Sequence, residues 1–253
     1  LGGGYGTERA IFGKRDFAAP FAEEEPEATF QVNVLGTLNL LEVLRKAGLD
    51  PVVVVAGSSS EYTATLDQAP IREDHPLLPD SPYGASKAAA SLLALLYHSA
   101  FQMRVIVVRP SFVIGPRKVG DVCSDFARQV VAVEREKQPS LQVGNLEAVR
   151  DFLDVKDAVR ALWLLAEKGE PGGVYNLCSG TGTKVGSVLE MFLAMASRPI
   201  PMEQDAGRLR PVDKPFVVGD NSRLRAQGWA PQVAMEQSLA AILDYWRGQG
   251  CGS

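Results

Sequence analysis

The chain has 253 residues, 46% of them hydrophobic, and a formal net charge of −4, enough for one large or two small domains. It carries no long basic block, which argues against a nucleic-acid binder, and no apolar run near the roughly 20 residues that span a bilayer. Three widely spaced cysteines, Cys123, Cys178 and Cys251, and two histidines, His75 and His98, form no ligand cluster. Free thiols in a reducing, cytoplasmic compartment are expected, with no leader peptide and no metal site.

The opening Leu1-Gly-Gly-Gly-Tyr-Gly6 is glycine-rich but lacks the Gly-x-Gly-x-x-Gly spacing and has no strand before it, so a tail or junction is expected. Residues 25–48 carry apolar positions at helical spacing, Phe30, Val34, Leu38 and Leu41, and close on Lys46-Ala-Gly48. The run Pro51-Val-Val-Val-Val-Ala56, followed by Gly57-Ser-Ser-Ser-Glu61, reads as a buried parallel strand ending in serines. Open α/β sheets place their ligands at such strand ends. Residues 63–80 are polar and Pro-rich, an ordered loop over the rim. His75 within it is expected to be a satisfied surface histidine rather than a substrate contact.

Ser81-Pro82 is a helix entry, with Ser as cap and Pro in the first turn. Residues 83–101 are apolar nearly all round, which predicts a helix buried on several sides. Tyr83 and Lys87 share one face of it, four residues apart. A phenol beside an ammonium, aimed at serines on a strand end, is a proton-transfer device. Lys87 is expected to stabilise the Tyr83 phenolate, and Ser58 to hydrogen-bond the reacting oxygen. A lone Tyr-x-x-x-Lys is also common as surface decoration; the serine-rich strand end and the next strand, Arg104-Val-Ile-Val-Val-Arg109, distinguish this one. Further helices are expected over 121–137, from Asp154 through Leu165, over 183–197 and over 235–247, with Trp163 in the core.

Taken together, Ser58, Tyr83-Gly-Ala-Ser-Lys87 and Asn33-Val-Leu-Gly-Thr37, with Val143-Gly-Asn-Leu-Glu-Ala-Val-Arg-Asp-Phe152, Val174-Tyr-Asn-Leu-Cys-Ser-Gly180 and Leu209-Arg-Pro211, resemble the extended short-chain dehydrogenase/reductases. The resemblance is strongest to their GDP-4-keto-6-deoxy-D-mannose reductase and GDP-mannose 4,6-dehydratase branch. It covers about residues 26–246. It implies an α/β fold: a Rossmann-like doubly wound parallel sheet with a smaller C-terminal substrate-binding lobe. Residues 1–116 would be a partial dinucleotide-binding domain, with 151–179 returning to it. Residues 117–150 and 180–253 would form the nucleotide-sugar lobe. Family members carry a further strand-helix-strand half of roughly 60 to 80 residues, at about 30 per βαβ unit, before the part seen here.

The resemblance also implies roles. Ser58, Tyr83 and Lys87 would be catalytic. Asn33, Tyr83, Lys87 and Pro110 would meet NADP or NAD. Ser60, Phe112, Asn145, Arg150 and Arg210 would meet the nucleotide sugar, the two arginines on its diphosphate. Asn33 reads equally as a buried polar group bonded to neighbouring backbone. The arginines have structural alternatives, Arg150 paired with Asp151 or Asp154 and Arg210 with Asp213. Phe112 departs from the Asn often found there in GDP-sugar enzymes. Dehydratases place an acid where Ser60 stands, and Glu61, one position on, is expected to point away. The implied activity is reduction of a GDP-4-keto-6-deoxyhexose by a homodimer. Dehydration, epimerisation and binding without turnover remain as alternatives.

Overall fold

The computed structural model describes residues 9–12, 19–63, 69–208 and 214–249. Leu1–Gly6, Arg210 and Cys251 lie outside the described residues. Strand β1 (Arg9–Phe12) is followed by α1 (Ala19–Glu24), α2 (Pro26–Phe30), a π-helical turn (Gln31–Leu35) and α3 (Gly36–Lys46). The apolar spacing at 25–48 anticipated one regular helix. The wider turn around Asn33 breaks that period, and π-turns of this kind are frequent at functional sites. Gly48 terminates α3 with φ +65°, a left-handed conformation that glycine adopts without penalty.

Next come β2 (Val52–Ala56), a 3-10 turn (Ser59–Glu61), α4 (Pro82–Phe101) and β3 (Val105–Pro110). One residue later β4 (Phe112–Ile114) begins, then α5 (Val122–Glu134), β5 (Leu141–Val143), β6 (Val149–Asp154), α6 (Val155–Lys168) and β7 (Val174–Leu177). The remainder is β8 (Gly182–Lys184), α7 (Val185–Ala194), β9 (Met202–Gln204), β10 (Phe216–Val217), α8 (Ser222–Ala226) and α9 (Met235–Gly248).

The main sheet runs β1-β2-β3-β7, with every pair parallel. Alternate strand residues face opposite sides. Val53, Val55, Val105 and Val107 therefore pack with Leu41 of α3 and Ala94 and Tyr97 of α4. Val54, Ile106 and Val108 pack with Leu165 of α6 and with Leu224 and Trp229 on the other face. Helices on both faces make the doubly wound arrangement. A second sheet, β10-β6-β4, has β8 antiparallel to β6, and β5 pairs with β9. Its own core joins Ile114, Phe126, Phe152, Phe192 and Ile242 under α5, α7 and α9.

Helix α4 is buried on several sides, as expected, against α3, β3 and the 3-10 turn, with Leu92 and Leu96 left exposed. One expectation about an apolar residue is corrected. Trp163 is 56% exposed, and with Val155 and Val159, also exposed, it forms a stripe at four-residue spacing on α6. Ala158, Ala161 and Leu165 take the core side instead. No helix among the described residues is long and apolar enough to cross a membrane.

In the second core, α5 and α9 are clasped by Arg247, whose Nε and Nη2 donate to the two oxygens of Glu134 at 3.0 and 2.6 Å. The Ser197 amide adds a third bond at 2.8 Å. Hydrogen bonding to Arg247 lowers the Glu134 carboxyl to about 2. A depressed carboxyl stabilises the fold above its unfolded pKa and loses that contribution as pH falls through the folded one. Glu134→Gln is therefore expected to cost about 1–2 kcal/mol at pH 7, with the difference from wild type shrinking between about pH 5 and pH 2. Urea melts across that range test it; a gap independent of pH would refute the assignment.

Candidate active site

The site is built at the carboxyl end of β2. Only glycine fits at Gly57, because a Cβ would lie 2.3 Å from Glu61 Oε1 and 2.8 Å from Ser91 Oγ. Ser58 follows in extended conformation and caps the 3-10 turn. Its hydroxyl oxygen accepts from the Ser60 amide at 3.1 Å, and its own amide donates to Glu61 Oε1 at 2.8 Å. With an oxygen lone pair occupied by the turn, the hydroxyl is set up to donate, as polarising a carbonyl requires.

Tyr83 and Lys87 enter from the first turns of α4. Ser81 Oγ accepts from the Gly84 amide at 3.1 Å, and Pro82 opens the helix. Lys87 is buried; its Nζ lies 5.8 Å from the Tyr83 ring centroid and donates to the Ala56 carbonyl at 3.1 Å. Helix and strand end close on each other at Gly84, where a Cβ would stand 2.4 Å from the Ser60 carbonyl oxygen. Asn33 Nδ2 donates to Ser86 Oγ at 2.9 Å, and Ser86 Oγ donates to the Tyr83 carbonyl at 2.8 Å. Asn33 thus reaches the helix through a side chain, not through neighbouring backbone. Ser58, Tyr83, Lys87 and Asn33 are brought to one sheet end.

Gly84→Ala is expected to push α4 away from the serine turn. The overpacking cost is about 1–3 kcal/mol, and turnover should fall at least about tenfold, since misplacement near 1 Å is costly. Wild-type kinetics in this variant would show that the approach is not needed.

Of the other sequence candidates, Phe112 and Arg150 lie on the paired strands β4 and β6. Pro110 ends β3 in register with Leu177. Phe112 opens β4 opposite Phe152, its ring 6.0 Å away. The Arg150 guanidinium lies 5.6 Å from the Phe112 centroid and its Nη1 donates to the carbonyls of Val149 and Lys214 at 2.9 and 2.7 Å. The acids weighed as its partners are engaged elsewhere. Asp151 accepts from the Ser179 amide and hydroxyl and the Gly180 amide. Asp154 caps α6 through the Lys156 amide and accepts from Ser238. Asn145 is exposed and its Oδ1 accepts from the Glu147 amide at 3.0 Å. Ser60 is half-buried beneath Gly84. An open polar cleft of about 290 Å³ is lined by Asp125, Arg128, Gln129 and Arg208, and Arg208 closes on Gly144, next to Asn145.

Behind the serine turn is a buried polar network that the sequence reading missed. Glu61 is 0% and Arg109 4% exposed, with Arg109 Nε 2.8 Å from Glu61 Oε2. Arg109 Nη1 donates to Tyr62 Oη, which donates to Asn176 Oδ1, both at 2.8 Å. Burial raises the Glu61 carboxyl, opposed by the Arg109 charge, and pushes the Tyr62 phenol up to about 12. The signal was an arginine inside an otherwise apolar strand, which needs a buried partner. Gly84 was also legible, as a glycine costing about 1 kcal/mol inside a helix unless a close approach demands it. His75 is corrected: its Nε2 is buried with no hydrogen-bond partner, and its ring stands edge-on to Tyr62 at 6.1 Å.

An open parallel sheet with Ser, Tyr and Lys converging at its carboxyl end is the scaffold of the extended short-chain dehydrogenase/reductases. The family model described as GDP-mannose 4,6 dehydratase matches residues 21–242. The chain is 37% identical over 231 residues to the GDP-6-deoxy-D-mannose reductase of Pseudomonas aeruginosa, covering 90% of this chain and 76% of that protein. The solved structure of RMD from Pseudomonas aeruginosa complexed with NADPH superposes with a TM-score of 0.89 at 36% identity, over 94% of this chain and 81% of that one. A Thermus thermophilus UDP-glucose 4-epimerase in complex with NAD superposes with a TM-score of 0.82 at 27% identity, over 94% and 77%. The chain belongs to the GDP-mannose 4,6 dehydratase family.

Proposed function

We propose that this protein is a nucleotide-sugar oxidoreductase that reduces the 4-keto group of a GDP-4-keto-6-deoxyhexose with NAD(P)H. The observation that carries this reading is the docking of the Tyr83–Lys87 face against the Ser58 turn through Gly84. Residues 1–116 with 151–179 would hold the dinucleotide, and 117–150 with 180–253 the nucleotide sugar. Asn33, Lys87 and Pro110 would hold the nicotinamide end of the dinucleotide, the buried Lys87 ammonium offering the donor that a ribose diol accepts. When bound, the reduced nicotinamide supplies hydride. Ser58 donates its hydroxyl hydrogen to the ketone oxygen. Tyr83 gives the proton to that oxygen as it becomes an alkoxide, and Lys87 favours the phenolate left behind. Ser60 lies at the sugar's edge. Arg150, stacked on Phe112, and Arg210 would grip the diphosphate, with Asn145 at the nucleotide loop.

Glu61 and Ser60 argue against dehydration more than they argue for reduction. The acid nearest the serines is fully buried and held by Arg109, and Ser60 occupies the place where dehydratases carry theirs. The test is oxidation of NADPH or NADH on addition of GDP-4-keto-6-deoxymannose. Substrate-dependent loss of reduced cofactor is expected. Stabilisation by GDP alone, with no response to dinucleotide, would replace the reading with a non-catalytic nucleotide-sugar binder.

The same proposal includes a homodimer. Leu35, Val43, Leu92, Leu96 and Phe101 are all exposed on the neighbouring π-turn, α3 and α4, and grouped exposed apolar residues mark interaction surfaces. Leu92→Glu with Leu96→Glu is expected to convert a dimer to a monomer in light scattering; an unchanged mass would place the interface elsewhere. The buried thiols Cys123 and Cys178 support a cytoplasmic setting.

A further inference from the structure

We infer that Glu61 is the positioning residue of Ser58, an inference that rests on the reductase reading above. Its carboxylate is an anchored bracket and not a reacting group. Oε1 takes the Ser58 amide and the Ser91 hydroxyl, each at 2.8 Å, and Oε2 takes Arg109 Nε at 2.8 Å. The three donors come from the serine turn, the middle of α4 and β3, so the carboxylate is fixed by two elements and passes that fixity to the third. Arg109 is itself held by Tyr62 and by the Glu73 carbonyl at 3.1 Å, and Tyr62 by Asn176 on β7.

The consequence is directional. The Ser58 amide is tied inward to Glu61, and its oxygen is tied to the Ser60 amide. The hydroxyl hydrogen is then the one group on Ser58 left to aim at a ketone. Removing the bracket frees the backbone of the turn and lets that hydrogen wander. A site needs its donors held within a fraction of an ångström, because orientation is what separates a near-attack geometry from a bound one.

Two double variants test this. Glu61→Gln with Arg109→Met keeps an amide oxygen where Oε1 accepts and turns the NH2 to the side that Arg109 vacates. Glu61→Leu with Arg109→Met removes the acceptor but leaves the site equally uncharged. The first is expected to keep kcat within about tenfold of wild type, and the second to lose at least about a hundredfold, with KM and dinucleotide affinity within about threefold in both. In a Ser58→Ala background the second pair should cost less than about threefold more. Equal kcat in the two double variants, or full additivity with Ser58→Ala, overturns the inference while leaving the reductase reading intact. Wild-type turnover in Ser58→Ala alone sinks the role of Ser58, and this inference with it. Amide exchange in the wild type needs no variant: the Ser58 amide should be as protected as those of β2, and exchange at loop rates overturns the bracket.

Discussion

Tyr83→Phe is expected to lower kcat by about 10²- to 10⁴-fold, the range that a positioned general acid contributes, while the thermal midpoint moves by no more than about 2 °C. The change removes one oxygen and keeps the ring that faces Lys87 at 5.8 Å. The backbone of the first turn is held independently, by Ser81 on the Gly84 amide and Ser86 on the Tyr83 carbonyl. Substrate affinity should therefore survive, giving a fall in kcat with little change in KM. Activity retained within a few-fold would remove Tyr83 from the acid role.

Arg109→Met on its own is expected to be the most damaging single change to stability. It leaves the Glu61 carboxylate, 0% exposed, without its counter-charge. Breaking a buried pair from one side costs about 3–5 kcal/mol, and at about 2–4 °C per kcal/mol in a chain of this size the midpoint should fall by roughly 10 °C. Burial already raises the Glu61 carboxyl with Arg109 present, and without that charge it rises further. A folded-state carboxyl pKa above the unfolded value means the native form binds more protons, so stability falls as pH rises through that interval. The variant should be closer to wild type at pH 5 than at pH 8. Adding Glu61→Gln should recover part of the loss, because the stranded charge is then gone. A pH-independent deficit that Glu61→Gln does not relieve would mean that the pair is not what holds this region.

What could be read from the chain follows from which forces act locally. Val52–Ala56 and Val105–Pro110 are β-branched runs buried on both faces, and such runs declare themselves. Ser81-Pro82 announced α4 to within a residue. Tyr83, Lys87 and Ser58 stand out as candidates because four-residue helical spacing and a polar strand end are properties of short segments. Arg109 and Asn176 meet Glu61 and Tyr62 only through sheet order, over sequence separations of 48 and 114 residues. Trp163 misled because a large aromatic suggests burial, whereas the phase of α6 is set by Ala158, Ala161 and Leu165. The π-turn at Asn33 eluded a reading by period because an extra residue per turn is a departure from period.

The passage from β3 to β4 takes a single residue, Ser111. Pro110 is still laddered to Leu177 in the main sheet, and Phe112 is already laddered to Phe152 in the second. Strand β6 repeats the stitch, with Phe152 in one core and Leu153 in the other. A seam sewn twice in this way has no slack for a hinge. Pro110 on one side and Phe112 with Arg150 on the other are joined through backbone and ladder, so a displacement of β4 is carried into β3 and β6 together.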